Sequence, residues 1–244
     1  MTRAQIMLEG LAFGESPRWH QGRLWFCNWG SQQVIALGPD GTAEVVARIP
    51  TTLPYSIDWL PDGRMLVVSG QEARILRQEP DGSLVTHADL SAIVGVFNEI
   101  VVDGRGNAYV NGTAIALVTP AGAARAVASG LEFGNGMAVT PDNSSLIVAE
   151  SHGNRLTAFD IGADGAVWYA DVPGRHCVRV AEGGRVLQTV EADRGCFACM
   201  LGGGDGRTLF LLAAEWHGME QMMSPARTGQ VLAVRVATPR AGWP

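Results

Sequence analysis

The chain has 244 residues, of which 18 are basic and 24 acidic, for a net charge of −6, and 47% are apolar. The acidic balance argues against a nucleic-acid or anionic-membrane surface, and no run of eighteen residues is apolar throughout, which excludes a membrane-spanning helix. Every basic residue is Arg, so chemistry that needs a Lys (a phosphate loop with its Lys, a Schiff base, a Ser-x-x-Lys hydrolase) is excluded.

The opening segment, MTRAQIMLEG, lacks the apolar core of a signal peptide, so the expected location is cytoplasmic. From there, short apolar strands and turns alternate. The turn His20-Gln21-Gly22 is followed by strands at 24–26 and 34–37 and the turn Pro39-Asp40-Gly41. Pro61-Asp62-Gly63 leads into 65–68, 74–76 and Pro80-Asp81-Gly82. Gly104-Arg105-Gly106 leads into 107–110, 114–117 and Pro120-Ala121-Gly122. Pro141-Asp142-Asn143 leads into 146–149, 155–159 and Ala163-Asp164-Gly165, and Gly204-Asp205-Gly206 precedes a strand at 208–212. The closing Gly or Asn of each turn accepts a backbone conformation that branched residues resist.

The turns that end each strand pair recur after 41, 40 and 43 residues, and the other series runs about half a period out of phase. No stretch of ten residues shows a 3.6-residue apolar period. Two turns per period of about 40 describe one four-stranded antiparallel blade per repeat, and about six blades fit the chain. The expected fold is all-β, a six-bladed β-propeller forming a single domain over 1–244.

One stretch breaks the period. Residues 155–160 read as the third strand of blade four and 166–170 as the second strand of blade five, leaving Ala163-Asp164-Gly165 to close one blade and open the next. The following turn, Ala181-Glu182-Gly183, arrives after 18 residues. Against a period of about 40, about twenty residues are absent. They would hold one outer strand and one inner strand, so the fifth blade is expected to be incomplete. Either the chain is truly shortened, or the molecule carries a segment that this sequence skips; the second is the expectation, because a cut blade exposes strand edges.

In a propeller the innermost strand of each blade lines the central channel. Counting back from each second strand lands on Glu15, on Tyr55 or Ser56, on Asn98 and on Asn135. Glu15, Asn98 and Asn135 are polar positions in otherwise apolar surroundings. Oxygen donors of this kind suit a hard divalent cation, and they equally suit hydrogen bonds to neighbouring backbone. Asp103, Asp142 and Asp205 read as turn residues. His20, His87, His152, His176 and His217 have no metal-ligand spacing and are expected on the surface. Cys27, Cys177, Cys196 and Cys199 read as reduced core thiols, with no second pair to complete a zinc site. Asn111-Gly-Thr and Asn143-Ser-Ser match the glycosylation pattern, which has no meaning without secretion.

Gly14-Glu15-Ser16-Pro17-Arg18-Trp19, Phe97-Asn98-Glu99 before a Val-Asp-Gly-x-Gly-Asn turn, and Asn135-Gly136-Met137-Ala138-Val139 before Pro141-Asp142-Asn143 together resemble the family of regucalcin (senescence marker protein), gluconolactonase and luciferin-regenerating enzyme. The resemblance runs from residue 8 to about 235. It implies a six-bladed propeller with one divalent metal ion, calcium first, with zinc, magnesium or manganese as alternatives. It implies a hydrolase that opens a small lactone by activated water, with Glu15 and Asn135 as metal ligands. Glu15 and Asn98 are then the catalytic positions, and Asn98 and Glu99 the substrate-binding ones.

The implied partner is the lactone alone, with no nucleic acid or membrane. Sugar-lactone members often carry Arg-Phe-Asn-Asp where this chain has Val96-Phe97-Asn98-Glu99, and Asn111-Gly112-Thr113-Ala114 is tight where relatives can carry a longer loop. The family's third ligand, an Asp on the inner strand of blade five, falls in the absent stretch. The alternatives are a related ester or phosphotriester hydrolase, or a non-catalytic metal- or ligand-binding propeller if the chain is truly shortened.

Overall fold

The computed structural model describes residues 4–93, 95–140, 143, 145–153, 155–159, 167–180, 185–218 and 226–240. It consists of six small antiparallel sheets, the blades of a β-propeller. Among the described residues the helical content is a single 3-10 turn at Trp29–Ser31. Contacts group the chain into two compact units, Met1–Ile49 with Ala163–Arg240, and Pro50–Gly162 with Ala241–Pro244.

In the first unit, β1 (Gln5–Leu11) precedes blade one, which is β2 (Gly14–His20), β3 (Arg23–Asn28), β4 (Gln33–Leu37) and β5 (Ala43–Arg48). In the second unit, blade two is β6 (Ile57–Trp59), β7 (Met65–Ser69), β8 (Arg74–Gln78) and β9 (Leu84–Asp89). Blade three is β10 (Ile100–Val102), β11 (Ala108–Asn111), β12 (Ala114–Val118) and β13 (Ala124–Ser129). Blade four comprises β14 (Gly134–Val139), β15 (Leu146–Glu150) and β16 (Arg155–Phe159).

Back in the first unit, a three-stranded sheet follows: β17 (Val167–Asp171), β18 (His176–Val180) and β19 (Val186–Glu191). The last sheet is β20 (Gly195–Gly202), β21 (Thr208–Ala214) and β22 (Gly229–Arg235), and β1 joins it on the far side of β22. The N-terminal strand thus covers an edge that would otherwise offer unpaired backbone groups.

The expected strands overlap observed ones, β11 beginning at Ala108 rather than at Asn107 and residues 160 and 166 lying outside the described residues, and the turns have the geometry their residues demand. Gly41, Gly63, Gly82, Gly106, Gly122 and Gly206 all have φ between 69° and 87°, and each N–H closes a turn onto the carbonyl three residues back. Asp103 and Asp205 accept backbone N–H bonds from Arg105 and Arg207, which confirms them as turn residues. Asp142, like the turns at 163–165 and 181–183, lies outside the described residues.

Burial follows the order of strands within a blade. Innermost β2 is buried almost throughout, whereas outer β5 and β13 are mostly exposed. The cores lie between consecutive sheets. In the first unit, Leu24, Phe26, Phe210 and Leu212 join blade one to the last blade, and Cys177, Cys196, Leu209 and Leu211 join the last blade to the β17–β19 sheet. In the second unit, Leu66, Phe97, Ile100 and Val110 join blades two and three, and Val101, Ile115 and Val148 join blades three and four.

The period predicts four-stranded blades with the fifth incomplete. Among the described residues, the β14–β16 and β17–β19 sheets carry three strands each. The hairpin from β17 to β18 pairs Asp171 with His176, as the second and third strands of blade four pair Glu150 with Arg155 and those of blade one pair Asn28 with Gln33. By this register β17 corresponds to a second strand, yet it stands first in its sheet and packs alongside β20. The expectation of surface histidines is corrected for His20, His87 and His176, which are partly buried. At His20 and His87 that burial pushes the pKa below the usual 6.5.

Candidate functional site

In the first unit, Glu15 is the second residue of β2 and is only 8% exposed. The strand carries a β-bulge there. Glu15 pairs with Cys27, but the next paired residue on the strand is Arg18, opposite Trp25. Ser16 takes a left-handed φ of 52°, uncommon for a residue with a side chain, and its N–H lies 3.4 Å from Glu15 Oε2. Such a bulge re-aims a side chain without ending the strand.

The same end of this unit holds four aromatic rings. Phe13 stacks on Trp29 at 5.6 Å and meets Phe197 edge-on at 4.5 Å, and Phe197 meets Trp216 edge-on at 5.5 Å. Phe197 sits in a second bulge, between Cys196 and Ala198 of β20. Trp216 is 36% exposed and ends the row at the surface. Asn28 shapes the approach to Glu15, because its Oδ1 accepts the N–H of both Ala12 and Phe13 at 3.0 and 3.1 Å.

In the second unit the structure brings Asn98, Glu99 and Asn135 to one cluster, organised by Asn111, which sequence reading did not assign to the site. Asn111 is fully buried at the end of β11. Its Nδ2 donates to the Asn135 carbonyl, its Oδ1 accepts the Glu99 N–H at 3.3 Å, and its own carbonyl accepts the Asn98 N–H at 2.7 Å. Asn98, 8% exposed, donates through Nδ2 to the Gly134 carbonyl at 3.4 Å. Glu99 turns its Oε1 back onto the N–H of Ile100 at 2.9 Å. A polar residue ending a strand just before a Gly is the sequence signal for Asn111. Its amide is committed inside the fold.

Asn135 also lies in a bulge, between Gly134 and Met137 of β14, and its Nδ2 donates to Ser151 Oγ at 3.3 Å. The turn that positions it is held by Glu150. That carboxylate accepts the Glu132 N–H at 2.6 Å, both Arg155 guanidinium contacts at 2.9 and 3.0 Å, and the Thr157 hydroxyl. The Arg155 bonds lead in holding its pKa down to about 2. Phe133 and His152 stack at 5.0 Å beside it. Of the remaining positions, Tyr55 and Ser56 are buried just before β6, and Asp58 on β6 accepts the Val102 N–H at 2.7 Å, tying two inner strands together.

Both amides donate through Nδ2, so the carbonyl oxygen is what each has to offer a cation. In the second unit the two amide oxygens, and in the first the Glu15 carboxylate, are each hard donors, suited to a hard ion rather than a soft one. Among the described residues, no group of three or more His, Cys, Asp or Glu is arranged to hold a metal ion. A cleft of about 550 Å³ in the first unit lies at the other end of the strands, lined by Trp19, Gly22 and the Gly203–Gly206 turn. Its charged side chains are Asp205, which is paired with Arg235, and Arg240.

Comparison with known proteins agrees with this architecture. Residues 13–165 match the model of a family described as SMP-30/Gluconolactonase/LRE-like region. A luciferin-regenerating enzyme superposes with a TM-score of 0.79 at 16% identity, covering 100% of this chain and 98% of that one. Regucalcin from Agrobacterium tumefaciens, described as a calcium-binding protein, gives 0.76 at 16% identity over 98% of this chain and 97% of that one. A gluconolactonase from Xanthomonas campestris gives 0.73 at 16% identity over 96% and 90%. No curated protein matches the chain. At these identities the structural likeness establishes the shared fold.

Proposed function

The chain belongs to the SMP-30/gluconolactonase/LRE-like family, and from that premise we propose that it is a metal-dependent hydrolase that opens a small lactone. The observation that carries the reading is the set of hard oxygen donors at the starts of innermost strands. Glu15 and Asn135 sit in bulges of β2 and β14, and Asn98 lies two residues before β10. In this reading Glu15 and Asn135 hold the cation, calcium first because the similar regucalcin is a calcium-binding protein. A divalent cation there would supply Lewis acidity toward the lactone carbonyl and acidify the attacking water.

The chain's own groups do the rest. Glu15, 8% exposed, offers carboxylate oxygens from a nearly buried position, a donor type that suits a hard divalent cation. Its carboxylate takes the proton of the attacking water, whose oxygen bonds to the carbonyl carbon. As the ring C–O bond breaks, the proton passes to the departing ring oxygen, and a hydroxy acid results. Asn98 hydrogen-bonds the substrate, and Glu99, held by Asn111 and Ile100, completes its polar side.

A pH-indicator assay over sugar lactones, γ-butyrolactone-type lactones and aryl esters tests this. Turnover is expected to stop with chelator, return with a divalent ion, and fall about 100-fold or more in Glu15→Gln. Turnover indifferent to chelator and to Glu15→Gln would overturn the reading.

A second reading, a related ester hydrolase acting on an apolar substrate, is favoured by the aromatic row from Phe13 to Trp216. Faster hydrolysis of aryl esters than of any lactone in the same panel selects it.

A further inference from the structure

Three of the four cysteines meet in the first unit, although residues three apart on a strand normally face opposite sides. The bulge at Phe197 removes that opposition. Cys196 pairs with Ala213, Ala198 with Leu212, and Cys199 with Leu211, so the two cysteines stand opposite residues two apart and share one face of β20. That face packs on the β17–β19 sheet, in the cluster that contains Cys177 of β18. The Cys177 thiol adjoins the thiols of Cys196 and Cys199 in this cluster. All four cysteines of the chain are reduced, Cys27, Cys177 and Cys196 being buried and Cys199 partly exposed.

We propose that Cys177 and Cys199 form an oxidisable dithiol, a modification site for low-molecular-weight disulfides of the glutathione type. Cys199, the solvent-reachable member, attacks one sulfur of the oxidant as a thiolate. The oxidant's S–S bond breaks, and one equivalent of small thiol departs, leaving a mixed disulfide on Cys199. Cys177 then loses its proton to solvent and attacks the Cys199 sulfur, expelling the second small thiol. Two protein thiols are oxidised, and one external disulfide is reduced to two thiols. The order of attack agrees with the surroundings. The adjoining thiols, and then burial, push the Cys177 pKa well up, which makes it the poorer initiator and the resolving partner.

The test uses the full chain, reduced and then exposed while folded to oxidised glutathione, quenched in acid, alkylated and mapped by non-reducing peptide mass spectrometry. The expected result is loss of two of the four thiols, with a cross-linked peptide pair joining Cys177 to Cys199. Cys199→Ser should lose thiols about tenfold more slowly or worse, and Cys177→Ser should stop at a glutathione adduct on Cys199. Four intact thiols after treatment that oxidises a small model dithiol would refute the site, as would a cross-link joining any other pair. The unaltered chain decides this by itself, should either variant fold poorly, and the readout is independent of lactone turnover.

Discussion

Asn111 carries more of the candidate site than any residue that sequence reading selected. Asn111→Ala removes a donor to the part-buried Asn135 carbonyl and an acceptor for the buried Glu99 N–H. Leaving such groups unpaired costs about 1–3 kcal/mol, read as a lower urea midpoint at unchanged slope. Glu150 is the second such residue. Its pKa is depressed from 4.5 to about 2. The stability it contributes is therefore fully present above pH 4.5 and is lost as pH falls through about 2. Thermal melts of the wild type should decline more steeply across that window than those of Glu150→Gln. Parallel declines would show that the Arg155 and Thr157 bonds contribute nothing.

At the scale of elements, the glycines separate two physical causes that look alike in sequence. A Cβ on Gly112 would lie 1.9 Å from the Val96 carbonyl oxygen, which the two-residue loop between β11 and β12 cannot relieve. Gly63 has a φ of +86° with nothing within 4 Å, so an added Cβ meets backbone strain alone. Gly63→Ala should cost about 1–2 kcal/mol, and Gly112→Ala about 1–3 kcal/mol from overpacking. Gly112→Ala should also disturb Asn98 through the displaced Val96–Phe97 backbone, reducing turnover as well as the denaturation midpoint. Equal turnover in the two variants would separate that loop from the site.

Strands and turns were legible because Pro-Asp-Gly and its variants state their own conformation, and short apolar runs between them leave no room for helices. The bulges at Glu15, Asn135 and Phe197 were not. A bulge is an extra residue relative to a partner strand, and the identity and register of that partner are tertiary facts. For the same reason the sequence does not show that Cys196 and Cys199 share a face or that Cys177 meets them.

For the whole molecule, the pairing of β1 with β22 is the test of closure. Removing residues 1–11 uncovers the β22 edge and takes Leu11 from the core. The truncated chain should melt at lower temperature and associate, as seen by light scattering. An unaltered melt would show that the last blade stands with three strands. The broken period between blades four and five makes a further prediction. If the molecule carries residues that this sequence skips, intact-mass spectrometry will exceed 25.9 kDa; a match to that mass would show that the chain skips nothing.

The sequence by itself determined the repeat, the all-β class, the number of blades and the polar positions near the inner strands, because each is written in local turn chemistry and a period of about 40 residues. Only the tertiary structure decided which face each of those residues presents. It made Asn111 the hub that holds Asn98, Glu99 and Asn135, placed an aromatic row beside Glu15, and gathered three thiols at one sheet interface. Facing depends on register. A shift of one residue turns every side chain of a strand to the other side, and nothing in the strand's own sequence counts the residues of its neighbour.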